Sequence, residues 1–202
     1  MIRNIIMYLC NLLKFLVLLL FMNNVFAYEV GSDTKLKIPR FVSLKSDDAN
    51  LRIGPSKKYP IILKFVNKNY PLEILDEYKD WRYVTDFKKN IGWIHKSLLK
   101  GNRSGILVNK SNKKFSDVYL YPNYKIIGRI YDGNLLNIYK CKINWCLIEI
   151  NGHKGWIRKL NIWGVYNSEI YKDSWLQFIQ EMYWEQIIFA VNAYNYLFDS
   201  SR

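Results

Sequence analysis

The chain has 202 residues and a formal charge of +13; half of its residues are hydrophobic and 16% aromatic, with 10 Gly and 5 Pro. Collagen-like, Pro/Gly low-complexity and wholly disordered classes are excluded, and the length allows one or two ordinary domains rather than a large multidomain enzyme. Ala occurs only at Ala27, Ala49, Ala190 and Ala193 while Lys, Tyr, Ile and Asn abound, a bias that an AT-rich genome produces, so part of the charge reflects composition rather than a partner.

Residues 1–27 read as a secretory signal peptide: Arg3 and Lys14 without an acidic residue, an apolar run from Phe15 to Met22, then Val25-Phe26-Ala27. A spanning helix needs about 20 apolar residues, and Asn11, Lys14, Asn23 and Asn24 interrupt this stretch. An uncleaved anchor is the alternative. Cleavage after Ala27 leaves a mature chain of +11 acting in the periplasm or cell envelope, where nucleic acid is not an expected partner. Residues 28–40 are expected to be a linker.

Two repeats follow. Tyr59-Pro60-Ile61-Ile62 matches Tyr124-Lys125-Ile126-Ile127 at an offset of 65, Leu72-Glu73-Ile74 with Trp81 matches Leu136-Asn137-Ile138 with Trp145 at 64, and Gly92-Trp93-Ile94 matches Gly155-Trp156-Ile157 at 63. Ordered matches with a drifting offset indicate a duplicated unit whose loops lose residues. Within each unit the runs are short and β-rich. The first unit gives Leu72 to Leu75, Arg82 to Thr85 and Ile91 to Ile94, separated by Asp76 to Asp80 and Asp86 to Asn90. The second gives Leu135 to Tyr139, Cys146 to Ile150 and Lys154 to Ile157, split by Lys142 to Trp145 and by Asn151-Gly152, a type I′ hairpin signal. Five or so antiparallel strands in about 60 residues close most economically as a small barrel. The fold class is therefore all-β, two tandem small barrels over residues 41–104 and 105–166, with an extension at 167–202.

Asn50-Leu51-Arg52-Ile53-Gly54-Pro55, Tyr59-Pro60, Asp80-Trp81 and Ile91-Gly92-Trp93-Ile94-His95 with Ser97-Leu98-Leu99 resemble a bacterial SH3-like domain. The second unit ends Gly155-Trp156-Ile157 and then Ile162-Trp163-Gly164-Val165-Tyr166, similar to the paired version in exported proteobacterial proteins, although Val118-Tyr119-Leu120-Tyr121-Pro122 lacks the Asn, Arg and Gly. The resemblance covers about Arg40 to Tyr166. It implies a secreted binding module of the kind appended to cell-wall enzymes, with peptidoglycan peptides or cross-bridges as ligands. Physically, Gly54 is expected to supply φ > 0 and Pro55 a fixed φ where the first long loop leaves its strand, with Asn50 bonding nearby backbone.

Cys141 and Cys146 are the only cysteines of the mature chain and flank a predicted hairpin turn. Opposed hairpin residues have Cα atoms about 4.5–5.5 Å apart, which suits a disulfide in an exported protein, reduced core thiols being the alternative. At offset 64 they fall on Glu77 and Arg82, expected to be an exposed ion pair at the same cross-strand place. No metal is expected, because His153 is the only histidine near the cysteines and a second Cys pair is lacking. Neither a cofactor nor a catalytic group is expected: the sequence has no Gly-x-Ser-x-Gly elbow or His-Glu-x-x-His helix, and the thiols are expected to be joined. His95 reads as a local backbone partner.

The candidate ligand-binding residues are Asn50, Arg52, Tyr59, Trp81 and Trp93. The three aromatics suit a groove wall or core packing; the Arg52 fork suits a wall-peptide carboxylate or a structural bond to the first loop. Residues 41–104 carry +6 and 105–166 carry +7, against −3 for 167–202, so the barrels attract anionic envelope polymer and the tail does not. The tail reads as one helix, with Ser174 and Gln177 as a capping box and Trp175, Ile179, Met182, Gln186, Ala190 and Ala193 on one face. It is too interrupted by Gln and Glu to span a bilayer and must pack on the barrels, a second copy, a protein partner or a membrane surface, through residues 174–198. The sequence thus points to a non-enzymatic exported binding module, the alternative being a protein-interaction adaptor that uses the helix. Intact-mass measurement of envelope-fractionated protein should place the mature amino terminus at Tyr28; retained residues 1–27 would make it a membrane-anchored protein.

Overall fold

A computed structural model describes residues 29–109, 114–171, 183 and 186–191. The expected leader, the Ser174 cap and the face residues Trp175, Ile179, Met182 and Ala193 lie outside the described residues. Strands β1 (Arg40–Leu44), β2 (Ala49–Arg52), β3 (Ile61–Phe65), β4 (Pro71–Tyr78), β5 (Trp81–Thr85), β6 (Ile91–His95) and β7 (Leu99–Lys100) form one sheet. The second contains β8 (Ser104–Leu107), β9 (Phe115–Tyr119), β10 (Ile126–Tyr131), β11 (Leu135–Cys141), β12 (Trp145–Ile150), β13 (His153–Arg158) and β14 (Ile162–Trp163). Their orders, β3-β2-β6-β5-β4-β1-β7 and β10-β9-β13-β12-β11-β8-β14, are the same topology shifted by seven strands. The duplication read from the sequence is thus a duplication of the fold.

Alternate residues of each sheet point inward to one core. Val42, Leu51, Phe65, Leu72, Val84 and Ile94, one from each of β1 to β6, meet in a single buried cluster, which a flat sheet cannot achieve and a curled one can. Leu107, Val118, Ile130, Ile138, Ile148 and Ile157 do the same in the second sheet. Asn151 and Gly152 both take positive φ (49° and 80°), the dihedral signs of a type I′ turn, and join Ile150 to His153 in register.

Three boundaries differ from the sequence reading. The stretch Asp76 to Asp80 was expected to separate strands, but β4 continues to Tyr78, which pairs with Trp81 across the two-residue turn Lys79-Asp80; alternation of buried Ile74 and Glu77 round a bulge keeps the ladder going through polar residues. Ser104, expected in the first unit, pairs with Asn137 and opens the second sheet. The supposed linker 28–40 is, over its described residues, a strap: Val30 bridges Lys37, and Ile38 enters the first core.

That strap changes the reading of Glu77 and Arg82. They are opposed in register as expected, and so are Cys141 and Cys146, whose sulfurs are bonded in the structure. The charge pair, however, is not exposed: each residue is only 3% accessible, because residues 31–40 cover it. Glu77 accepts from the Asp33 amide (3.1 Å), the Thr34 amide (2.8 Å), the Thr34 hydroxyl (2.7 Å) and Arg40 (2.7 Å), with Arg82 Nε 3.4 Å away. Arg82 in turn donates to Asp33 at 2.8 Å. Gly31 lies so close that a Cβ there would fall 2.3 Å from the carboxylate.

The second barrel carries a matching strap at the equivalent positions, supplied by the segment that follows it in sequence. Tyr171 exchanges both backbone hydrogen bonds with Cys141, at 2.9 and 3.0 Å. Arg103, which stands where Arg40 stands in the first unit, grips Glu169 with both terminal nitrogens. The buried Lys159, counterpart of Lys96, donates to the carbonyls of Glu169 (2.6 Å) and Asn167 (3.3 Å); burial lowers its pKa, which the nearby Glu169 partly counters.

Burial alone would raise the pKa of Glu77, but the Thr34 amide, Arg40, the Thr34 hydroxyl and Arg82 outweigh it and hold the carboxyl at about 2. A folded pKa below the ordinary value near 4.5 means that this stabilisation is complete above that value and is lost as pH falls toward 2. Glu77→Gln should therefore cost about 3 kcal/mol or more in urea unfolding at pH 7, since it leaves buried arginines uncompensated, and should flatten the acid limb of the stability profile between about pH 4.5 and 2. Non-reducing peptide mapping should recover Cys141 and Cys146 as one linked fragment, and reduction should lower stability by roughly 2 kcal/mol, the chain-entropy value for so short a loop.

Candidate functional site

Directly opposed residues of antiparallel strands share a face. On the outer face of the first barrel, Arg52 of β2 opposes Trp93 of β6, Trp93 opposes Tyr83 of β5, and Tyr83 opposes Asp76 of β4. The next row holds His95, Trp81 and Tyr78. Asn50, two residues before Arg52 on the same face, opposes Lys64. The Tyr83 and Trp93 rings are 5.1 Å apart and Trp81 meets the His95 ring edge-on at 5.3 Å. Both tryptophans are half-buried and keep accessible ring surface.

The first long loop is tied to this row by Arg52, whose Nη1 donates to the Tyr59 carbonyl at 2.7 Å. Its other guanidinium nitrogens have no partner among the described residues. Arg52 thus has the structural bond that one of its two sequence readings required, while part of the fork stays available. Gly54 is not in the left-handed region as expected; its role is steric, because a Cβ there would lie 2.7 Å from the Tyr59 ring. The absence of a side chain lets an exposed tyrosine lie flat on the loop backbone. Arg52, Tyr59 and Trp93 are therefore brought together, with Trp81 one row away and Asn50 two residues along β2, opposite Lys64. Sequence reasoning missed Tyr83, whose signal was available in its alternation with Trp81 two residues earlier.

His95 caps the short 3-10 turn Lys96–Leu98, its Nδ1 accepting from the Ser97 amide at 3.3 Å and lying 2.7 Å from the Ser97 hydroxyl. Among the described residues no carboxylate orients the other ring nitrogen, and no group of three His, Cys, Asp or Glu side chains could hold a metal ion. The Ser97–His95 contact is accordingly a local cap.

The second barrel fills the same positions differently. Tyr119 takes the place of Arg52 opposite Trp156, and Trp145 opposes Arg158. Both tryptophans are buried, 6% and 5% accessible, and are covered by cations: Arg158 stands 4.3 Å above Trp145, and Lys142 and Lys140 stand 5.3 and 5.4 Å from Trp156. The helical residues Ile187, Ile188 and Val191 share a cavity of about 350 Å³ with Leu120, Tyr121 and Tyr124 of this barrel. Among the described residues no helix is long and apolar enough to cross a membrane.

The pattern of the bacterial SH3 domain matches residues 45–101 and 121–164, together half of the chain and one segment in each barrel. The chain belongs to the bacterial SH3 domain family. The second match begins at Tyr121, inside the stretch Val118 to Pro122 that lacks the Asn, Arg and Gly of the first SH3 domain. Among solved structures the chain is similar to an NlpC/P60 family protein from Bacillus cereus, with 15% identity over 61% of this chain and 55% of that one and a TM-score of 0.28. It is also similar to NlpC2 and NlpC1 from Trichomonas vaginalis, at 16% and 15% identity over 62% and 70% of this chain and 48% and 50% of those, both with a TM-score of 0.27. The tandem SH3 chain thus spans about half the length of these structures. No curated protein matches it.

Proposed function

We propose that this tandem SH3 protein is an exported, non-enzymatic module that binds the cell wall, with peptidoglycan or another anionic envelope polymer as ligand and the outer face of the first barrel as reader. Bacterial SH3 domains commonly bind peptidoglycan. One observation carries the assignment to the first barrel: Arg52, Trp93 and Tyr83 form a row beside the loop held by Tyr59, with accessible ring surface and unspent guanidinium nitrogens. Flat rings beside a cationic fork suit a peptide or sugar backbone that carries carboxylates. In the second barrel the equivalent rings are buried under cations, an arrangement that stiffens a wall rather than reads a ligand. The positive charge of both barrels adds a salt-sensitive attraction. The adaptor reading, in which residues 174–198 recruit a protein partner or a second copy, draws less support, since Ile187, Ile188 and Val191 already lie beside this chain's own second barrel.

Retention on purified sacculi, measured at low and physiological salt, tests the reading. Arg52→Ala should weaken retention about tenfold, roughly 1.4 kcal/mol, and Trp93→Leu should weaken it as well. Losing the bond to Tyr59 should also speed amide exchange in the first loop at a stability cost of about 1 kcal/mol. Unchanged retention in both variants would remove the first barrel as the reader.

A further inference from the structure

Away from the outer face, the two barrels meet across a seam in which Phe41 packs on Trp163 and Tyr166 beside a set of polar ties. Ser43 donates to the Asn102 carbonyl and pairs with the Ser104 hydroxyl, Asn69 Nδ2 donates to Asn137 Oδ1 at 3.2 Å, and Tyr166 donates to Glu73 at 2.8 Å. Beside these ties lies a cavity of about 280 Å³, lined from the first barrel by Ser43, Asn69 and Lys100 and from the second by Arg103, Ser104 and Asn137. Its two serines are mutually satisfied, yet two buried polar atoms on its walls are not. Among the described residues Arg103 Nε has no hydrogen-bond acceptor and Asn69 Oδ1 no donor.

Buried polar atoms left unpaired are costly, so a polar cavity that holds them is built to be filled. The unfilled atoms specify the occupant. Arg103 Nε offers an N–H from a guanidinium whose terminal nitrogens are fixed by Glu169 and the Gly164 carbonyl and whose plane is flanked by Phe41 and Tyr171 at 5.6 and 5.3 Å. Among the described residues the Lys100 ammonium has no acidic partner and no carboxylate lines the cavity. Arg103 Nε, in a guanidinium whose charge Glu169 already balances, therefore wants an acceptor, Lys100 supplies the unmatched positive charge that makes an anionic one fit, and Asn69 Oδ1 wants a donor. We propose that the seam binds the carboxyl end of a short peptide, its carboxylate against Arg103 and Lys100 and an amide N–H against Asn69. This site is separate from the row at Arg52 and does not need that row to be a reader.

The test titrates the mature protein with N-acetyl-alanyl-alanine and, separately, with its carboxyl-terminal amide, following the Arg103 Nε–H and Asn69 side-chain amide resonances at pH 7. Saturable shifts at both resonances with the acid, and at least tenfold weaker binding of the amide, are expected. Lys100→Met should weaken acid binding at least tenfold and Asn69→Gly should weaken it too; glycine suits the positive φ of 64° at that position. Lys125→Ala, on the exposed surface of the second barrel, should change nothing. No saturation would mean that the cavity holds water only, equal response to acid and amide that no carboxylate is recognised, and full binding by Lys100→Met and Asn69→Gly that the peptide sits elsewhere; each would overturn the proposal. Sacculus retention that depends on Arg52 while the dipeptide fails to bind would sink this site alone; dipeptide binding without sacculus retention would sink the wall reading alone.

Discussion

The Glu77 carboxylate sets much of the first barrel's form. It is fully enclosed, receives hydrogen bonds from two backbone amides, a hydroxyl and a guanidinium, and faces a second guanidinium across the hairpin. A charge in that position is tolerable only because every one of those donors is in place. The requirement propagates outward: it fixes residues 31–40 as a strap, demands a glycine at Gly31, and thereby covers the end of the β4–β5 hairpin.

Duplication has preserved the geometry of this clasp while exchanging its chemistry. Where the first barrel joins β4 to β5 by charge, the second joins β11 to β12 through sulfur. The carboxylate then moves from hairpin to strap: Arg40 reaches Glu77 on the hairpin, whereas Arg103 reaches Glu169 on the trailing segment. Lys96 and Lys159 keep their place, the former pairing with Asp80 of the hairpin turn at 2.9 Å and only distantly with Asp33 of the strap at 3.7 Å, the latter holding its strap through carbonyls. The same division appears on the outer faces, one with accessible rings beside an arginine and the other with rings sealed beneath Arg158, Lys140 and Lys142.

Much of this was legible in the sequence, and the reasons are local. Alternation along Arg82 to Thr85 and the Asn151-Gly152 turn specify strand and hairpin through side-chain period and backbone dihedrals, which need no knowledge of the rest of the chain. The cross-strand kinship of Glu77–Arg82 with Cys141–Cys146 followed from the repeat offset alone. What could not be read was what lies on top. Residues 29–38 have no period and no strand-like run, so their role depends on a contact more than forty positions away; without it Glu77 looked exposed. Gly54 was misread for a similar reason, since its constraint comes from the Tyr59 ring rather than from its own dihedral. In the site, Arg52, Tyr59 and Trp93 came from the motif, whereas Tyr83 and the seam at Asn69 and Arg103 depend on register between strands and on the docking of two barrels.

The sequence distance of each clasp also sets an order of events. Thr34 and Glu77 are 43 positions apart, and Arg103 and Glu169 are 66 apart, longer spans than the hairpin pairings inside either sheet. Loop-closure entropy opposes such long-range contacts, so the hairpins form first and the straps, like the sheet-closing pair Ser43–Lys100, settle after them. The first barrel has all its parts once the chain is complete to Lys100, whereas the second waits for Tyr171. A chain emerging from its amino end therefore finishes the first barrel while its neighbour is still open, and Arg103, at the seam between them, stays without its carboxylate until the trailing segment arrives.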